Sequence, residues 1–232
     1  WLSDWSSDVC SSDLAALAGV KRLVYVSSVK VCGEGQAQVN EGAYTETQPP
    51  CPSGDYAVSK WETEQGLWEI ARATSLEVVI LRPPLVYGPG VGANFLRLMQ
   101  WVDRGWPLPL GGVNNRRDLI YLGNLVDAIA TCTTHRAAAN KTYLVADGDS
   151  VSTPELIRRV ASALGRPARM LPIPEKWLRM AGALTGKSAA IDRLLGSLMV
   201  DSSTIRRDLG WSPPFSMREG LVETAKWYRS GG

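Results

Sequence analysis

What most constrains this chain is the order of three segments near its start. An apolar run, Leu23-Val24-Tyr25-Val26, is followed by a helical pattern from Tyr56 to Ala73 and then by a second apolar run, Leu76 to Leu81. Both runs are short and rich in β-branched residues, as strands buried on both faces are. A strand, a long helical crossover and a second strand make a parallel unit, and such crossovers are right-handed in nearly all folds. The chain is therefore expected to be α/β, with the carboxyl ends of two parallel strands side by side. Ligands of open parallel sheets bind there, and the residues at those ends are Ser27-Ser28 and Arg82-Pro83-Pro84-Leu85-Val86-Tyr87-Gly88.

Tyr56 and Lys60 stand four residues apart at the start of the helical stretch, which puts them on one face. A phenol with a pKa near 10 is a poor base at neutral pH, but an ammonium nearby lowers an acid's pKa by roughly 1 to 3 units. Tyr56 is thereby expected to accept and return a proton. The hydroxyl of Ser28 is expected to hydrogen-bond the substrate oxygen and hold it against that phenol.

Five segments carry a family resemblance: Gly19-Val-Lys-Arg-Leu-Val-Tyr-Val-Ser-Ser28, Tyr56-xxx-Lys60, Leu81-Arg-Pro-Pro-Leu-Val-Tyr-Gly88, Arg117-Asp-Leu-Ile-Tyr121 and Asp208-Leu-Gly-Trp211. In this order they resemble the extended short-chain dehydrogenase/reductase family, specifically its NAD-dependent epimerase/dehydratase group acting on nucleotide sugars. The resemblance runs from about Ala15 to Tyr228. It implies the carboxyl-terminal part of a Rossmann-like, doubly wound parallel sheet with a small, mostly helical substrate domain. It implies Ser28, Tyr56 and Lys60 as catalytic residues, with Tyr56 and Lys60 also at the nicotinamide ribose. Pro83, Pro84, Leu85 and Val86 match the loop along the nicotinamide ring. Ser28, Asn94, Arg117 and Arg193 match substrate-binding positions, the last three at the diphosphate, where an arginine fork suits phosphate oxygens. The spacing from Arg193 to Asp201 departs from the family's pattern.

Dehydratases of this group carry an acidic pair directly after the catalytic hydroxyl residue; here Val29 and Lys30 stand there. Neither can do that acid/base work, so redox at C4 of a UDP-sugar is the expected chemistry. That is either 4-epimerisation, of the UDP-glucose or UDP-N-acetylglucosamine type, or NAD(P)H-dependent reduction of a 4-keto-6-deoxy sugar. Gly54 to Glu62 and Pro107 to Gly111 look most like bacterial surface-polysaccharide enzymes. The resemblance further implies a homodimer formed through two helices, one of them Tyr56 to Ala73.

The glycine-rich turn that cradles a dinucleotide pyrophosphate does not precede Ser28. In its place Asp4 to Leu14 has no useful periodicity and looks like a translated sequencing adapter. The expected organisation is a non-native leader over 1–14, the remainder of a Rossmann domain over 15–90 and 118–148, and a substrate-binding domain over 91–117 and 149–232. The chain is then expected to be an inactive fragment that aggregates or stays partly unfolded and binds no nicotinamide. NAD rather than NADP comes from the resemblance alone. The alternative of another class is a cofactor-free binding module or pseudoenzyme.

With 45% hydrophobic residues and a net charge of +2 over 232 residues, the chain can build a core and lacks the basic excess of a nucleic-acid binder. No apolar run approaches a membrane span, and Cys10, Cys32, Cys51 and Cys132 show neither metal nor redox spacing. A cytoplasmic protein without a metal is expected. Further expectations are helices over 94–104, 171–184, 189–195, 202–209 and 217–228, a short strand at Leu119–Tyr121, and a strand at Thr142–Val145. Asn124 is expected to cap a helix running to about His135, and Thr153 to start another. His135 is read as a structural cation at a helix C-terminus, and Trp177, Trp211 and Trp227 as packing residues. Arg206-Arg207 is read as a solvated face, with Arg116 as a possible stand-in for Arg117.

Overall fold

The computed structural model describes residues 13–33 and 42–231. The expected leader, with Cys10, therefore lies almost wholly outside the described residues; residues 13–17 are helical. Strand β1 (Arg22–Val26) leads through a 3-10 turn (Val29–Cys32) to helix α1 (Asp55–Ala73) and strand β2 (Glu77–Arg82). Then come β3 (Leu85–Tyr87), α2 (Ala93–Asp103), β4 (Leu119–Tyr121), α3 (Leu122–Thr134) and β5 (Lys141–Leu144). Helices α4 (Thr153–Ala163), α5 (Glu175–Leu184), α6 (Ser188–Leu195), α7 (Ser203–Leu209) and α8 (Met217–Arg229) complete the order.

The main sheet has the order β1-β2-β5 and is parallel throughout. Its central strand explains the layering. Val78 and Ile80 face α1, where they pack with Leu67, Ile70 and Leu76. Val79 and Leu81 face the other way, against Leu125, Ala128 and Cys132 of α3 and Ile205 and Leu209 of α7. Alternate residues of a strand point to opposite faces, so an unbroken apolar run is what a strand covered by helices on both sides requires. Each fully buried Val or Ile in it contributes roughly 1.5–3 kcal/mol by leaving water. β1 is an edge strand among the described residues, and all five of its residues are half-buried.

β3 and β4 form a second, two-stranded parallel sheet. The expected short strand at Leu119–Tyr121 is present, but its partner at Leu85–Tyr87 has no signal of its own in a loop marked by Pro83 and Pro84. Around this small sheet α2, α4 and α8 build a separate core with Tyr87, Phe95, Met99, Ile157, Val160 and Leu221. α7 falls within the span expected for the substrate domain, yet it packs against the main sheet.

Several local expectations need correction. The helix expected from Leu171 begins only at Glu175, because Pro172 and Pro174 deny the backbone its donors. Residues 169–171 instead pair with Leu108. Asn124 is not a cap: Tyr121 occupies that place without a side-chain bond. Asn124 lies inside α3, fully buried, and clasps Phe215 by accepting from its N–H and donating to its carbonyl. α4 does start at Thr153 as expected, and Ser152 caps it by accepting from the Glu155 N–H. His135 stands at the C-terminus of α3, as expected, and its Nδ1 accepts a hydrogen bond from the Ala137 N–H. Trp211 is packed as expected and donates to Asp127, whereas Trp177 is 54% exposed. No described helix is long and apolar enough to cross a membrane.

Candidate active site

The site forms where β1 and β2 end. The ladder between these strands runs past them: Ser27 N–H donates to the Leu81 carbonyl at 2.8 Å, and Val29 N–H to the Pro83 carbonyl at 3.0 Å. Ser28 is thus held between two cross-strand bonds, with extended backbone. Its hydroxyl accepts from the Lys30 N–H at 3.3 Å and so caps the 3-10 turn. The turn then buries Val29, Val31 and Cys32 beneath it.

α1 approaches from the side. Gly54, at a φ of +81° that favours glycine, turns the chain into the helix. Tyr56 stands in the first turn, 47% exposed. The Lys60 ammonium reaches the end of β1, 3.4 Å from the Val26 carbonyl and 4.8 Å from the centre of the Tyr25 ring. Lys30, next but one to Ser28, holds its ammonium 5.9 Å from the Tyr56 ring centre. The structure therefore gathers Ser28, Tyr56 and Lys60 around one strand end. It also places Val29 in the core and the Lys30 ammonium beside the tyrosine ring, so the two positions after Ser28 carry no carboxylate.

On the far side, Pro83 and Pro84 are buried and Leu85 is 48% exposed. Residues 85–94 and Leu122 line an open groove of about 410 Å³ that includes exposed Asn94. Gly88 fits only as glycine, because a Cβ would stand 2.7 Å from that of Leu122.

Arg117 and Arg193 lie together. The backbone of Arg117 exchanges hydrogen bonds with Val151. Its guanidinium donates to the carbonyls of Arg193 and Leu194, at 2.8 and 3.3 Å, at the end of α6. Burial pushes the Arg117 pKa down. Arg193 donates back to the Ala189 carbonyl. Arg116 is exposed, as are Arg206 and Arg207.

Sequence reasoning missed the polar residues beneath the site. Glu64, fully buried, accepts from the Ser27 hydroxyl at 2.5 Å and from Arg82 Nε and Nη2 at 3.0 and 2.5 Å. Burial opposes the charge on Arg82, but its bonds to Glu64 outweigh this and raise its pKa. The signal was available: Tyr56, Lys60 and Glu64 continue one stripe at a spacing of four. Asp147 was also missed. It accepts from Tyr87, from the Tyr121 N–H and from Asn124, and so joins the end of the main sheet to the smaller one. Among the described residues no group of three His, Cys, Asp or Glu side chains converges as a metal site would require.

Comparison with known proteins gives three kinds of match. The profile of the NAD dependent epimerase/dehydratase family matches residues 11–146. A UDP-glucose 4-epimerase of Vibrio cholerae is 46% identical over 211 residues, covering 90% of this chain and 63% of that protein. The N-acetyl-alpha-D-glucosaminyl-diphospho-ditrans,octacis-undecaprenol 4-epimerase of Escherichia coli O157:H7 is 26% identical, with 90% and 66% covered. The chain thus spans about two-thirds or less of the length of these curated relatives. Among solved structures, MoeE5 in complex with UDP-glucose and NAD superposes with a TM-score of 0.73 at 25% identity, covering 97% of this chain and 70% of that one. A UDP-N-acetylglucosamine 4-epimerase from Methanobrevibacter ruminantium M1 superposes at 0.76 and 20% identity, covering 98% and 69%; that likeness concerns the fold.

Proposed function

The chain belongs to the NAD-dependent epimerase/dehydratase family, and on that premise we propose that the protein it represents performs NAD-dependent redox at C4 of a UDP-sugar, as a 4-epimerase. The observation that carries this reading is the gathering of Ser28, the Tyr56–Lys60 face of α1 and the Pro83–Val86 loop at the ends of β1 and β2. The likeness to the Vibrio cholerae epimerase supports the same choice of substrate class.

The residues present fit the nicotinamide end of the cofactor. Lys60 offers an ammonium at the strand end, and exposed Leu85 above buried Pro83 and Pro84 offers an apolar wall. NAD, when bound, supplies a hydride acceptor and donor at one carbon. The chain's own residues have the proton to manage. Ser28 donates a hydrogen bond to the C4 oxygen and fixes its direction. Tyr56 takes the proton from that oxygen and gives it back on the return step. Lys60, whose ammonium stands at the end of β1, would hold the cofactor's ribose. Asn94, Arg117 and Arg193 take the diphosphate side, for which the Arg117 fork must leave the carbonyls that it now caps. With Val29 and Lys30 after Ser28, there is no acid to expel a C6 hydroxyl, which supports epimerisation over dehydration. A homodimer through α1, a cytoplasmic setting and a place in polysaccharide assembly belong to the same reading.

The test uses the full-length protein that contains this chain. Conversion of UDP-glucose to UDP-galactose is followed by the anomeric proton resonance. Tyr56→Phe is expected to lower kcat about a hundredfold or more, with sugar-nucleotide binding retained. Undiminished turnover by that variant would overturn the mechanism. Turnover only of a 4-keto-6-deoxy sugar with added reduced cofactor would make the protein a reductase instead.

A further inference from the structure

We propose that Glu64 is a positioning residue that, through Ser27 and Arg82, locks the three segments of the active site into one register. Glu64 lies one helical turn beyond Lys60 and two beyond Tyr56, on the same face of α1. Its Oε1 accepts from the hydroxyl of Ser27, the neighbour of Ser28. Both of its oxygens accept from Arg82, the neighbour of Pro83. One carboxylate therefore fastens the helix bearing Tyr56 and Lys60 to the strand end bearing Ser28 and to the loop beginning at Pro83.

The energetics favour positioning over simple stabilisation. The Glu64 and Arg82 side chains are 0% and 5% exposed, and two buried charges pay a desolvation cost that apolar residues of similar size avoid. Their arrangement is directional: a planar guanidinium grips a carboxylate through two parallel bonds, which fixes angle as well as distance. The Trp61 ring lies 5.9 Å from the Arg82 guanidinium on one side and Cys32 Sγ 3.6 Å from Nη1 on another. The fork is held by neighbours from α1 and from the 3-10 turn. A core chosen only for stability gains nothing from such a device, whereas a site sensitive to small displacements does.

The catalytic consequence rests on the function proposed above; the structural claim does not. Two variants of the full-length protein that contains this chain test them. Ser27→Ala removes one link and leaves the ion pair. Glu64→Leu with Arg82→Met replaces the pair by apolar side chains, a change that buried pairs tolerate. Both are expected to keep a cooperative thermal transition. Both should lower kcat about tenfold with KM for the UDP-sugar within about twofold. Both should also speed amide hydrogen exchange across residues 27–33. Wild-type exchange in that segment in both variants would overturn the proposal, as would wild-type kcat. An inactive parent protein would overturn the proposed function alone, and exchange would still decide the positioning claim.

Discussion

Asp147 and Asp208 show how surroundings set the worth of a carboxylate. Burial pushes the Asp147 carboxyl up, even though Asn124, the Tyr121 N–H and Tyr87 donate to it. Its ionisation therefore costs the folded state, a penalty present at neutral pH and absent below its unfolded pKa. Asp208 is the reverse case. The hydrogen bond from Lys141, 2.6 Å away, holds its pKa below the ordinary value. A lowered carboxylate pKa adds stability above the unfolded value near 3.9, and that stability is lost as pH falls through the folded value. Lys141 is 43% exposed, so solvent screens the pair and the gain is about 0.5 kcal/mol. Asp208→Asn should cost about that much in urea unfolding at pH 7, with the difference from the parent fading below pH 4 or so. A cost that persists unchanged in acid would place the effect in packing instead.

At the scale of elements, α8 is seated on the smaller sheet through a glycine. Phe95, Tyr87, Tyr121 and Phe215 make a run of ring contacts, each 5.7 Å between centroids. Gly220 lies against it: a Cβ there would meet Tyr121 Cγ and Cδ2 at 2.7 Å and Tyr87 Cε2 at 3.0 Å. Helix propensity alone would make Gly220→Ala stabilising by about 1 kcal/mol. Close packing predicts the opposite sign, a loss of roughly 1–3 kcal/mol from overpacking. Urea unfolding of the variant decides between them, and a gain in stability would show that α8 moves outward at little cost. The reciprocal bonds between Ser216 and Glu219 cap the same helix. That pair is local in sequence, while the aromatic seat joins β3, β4 and the segment before α8.

Across the whole molecule, the contrast between β1 and β2 matters most. The first is half-buried throughout; the second has five consecutive buried residues. A polypeptide of these 232 residues leaves one side of β1 unpaired among its described residues, an open template for another chain. It is expected to self-associate in sedimentation velocity, increasingly so at higher concentration; a monomer with a sharp cooperative melt would refute this. The unit of β1, α1 and β2 was legible in the residues because apolar periodicity belongs to each element separately. The same holds for the four-residue spacing of Tyr56 and Lys60. The approach of that face to the end of β1 followed from the parallel topology. What lay beyond the sequence was every link made across elements: Leu85–Tyr87 pairing with Leu119–Tyr121, Asn124 clasping Phe215, Arg117 turned onto the end of α6. Periodicity states which face of an element is buried and is silent about which partner that face meets. By itself the chain's order of residues determined the parallel α/β unit and which residues stand at its strand ends. Only tertiary packing decided that Ser27, Glu64 and Arg82 share one buried cluster, because a desolvated charge finds its counter-charge through the approach of whole elements.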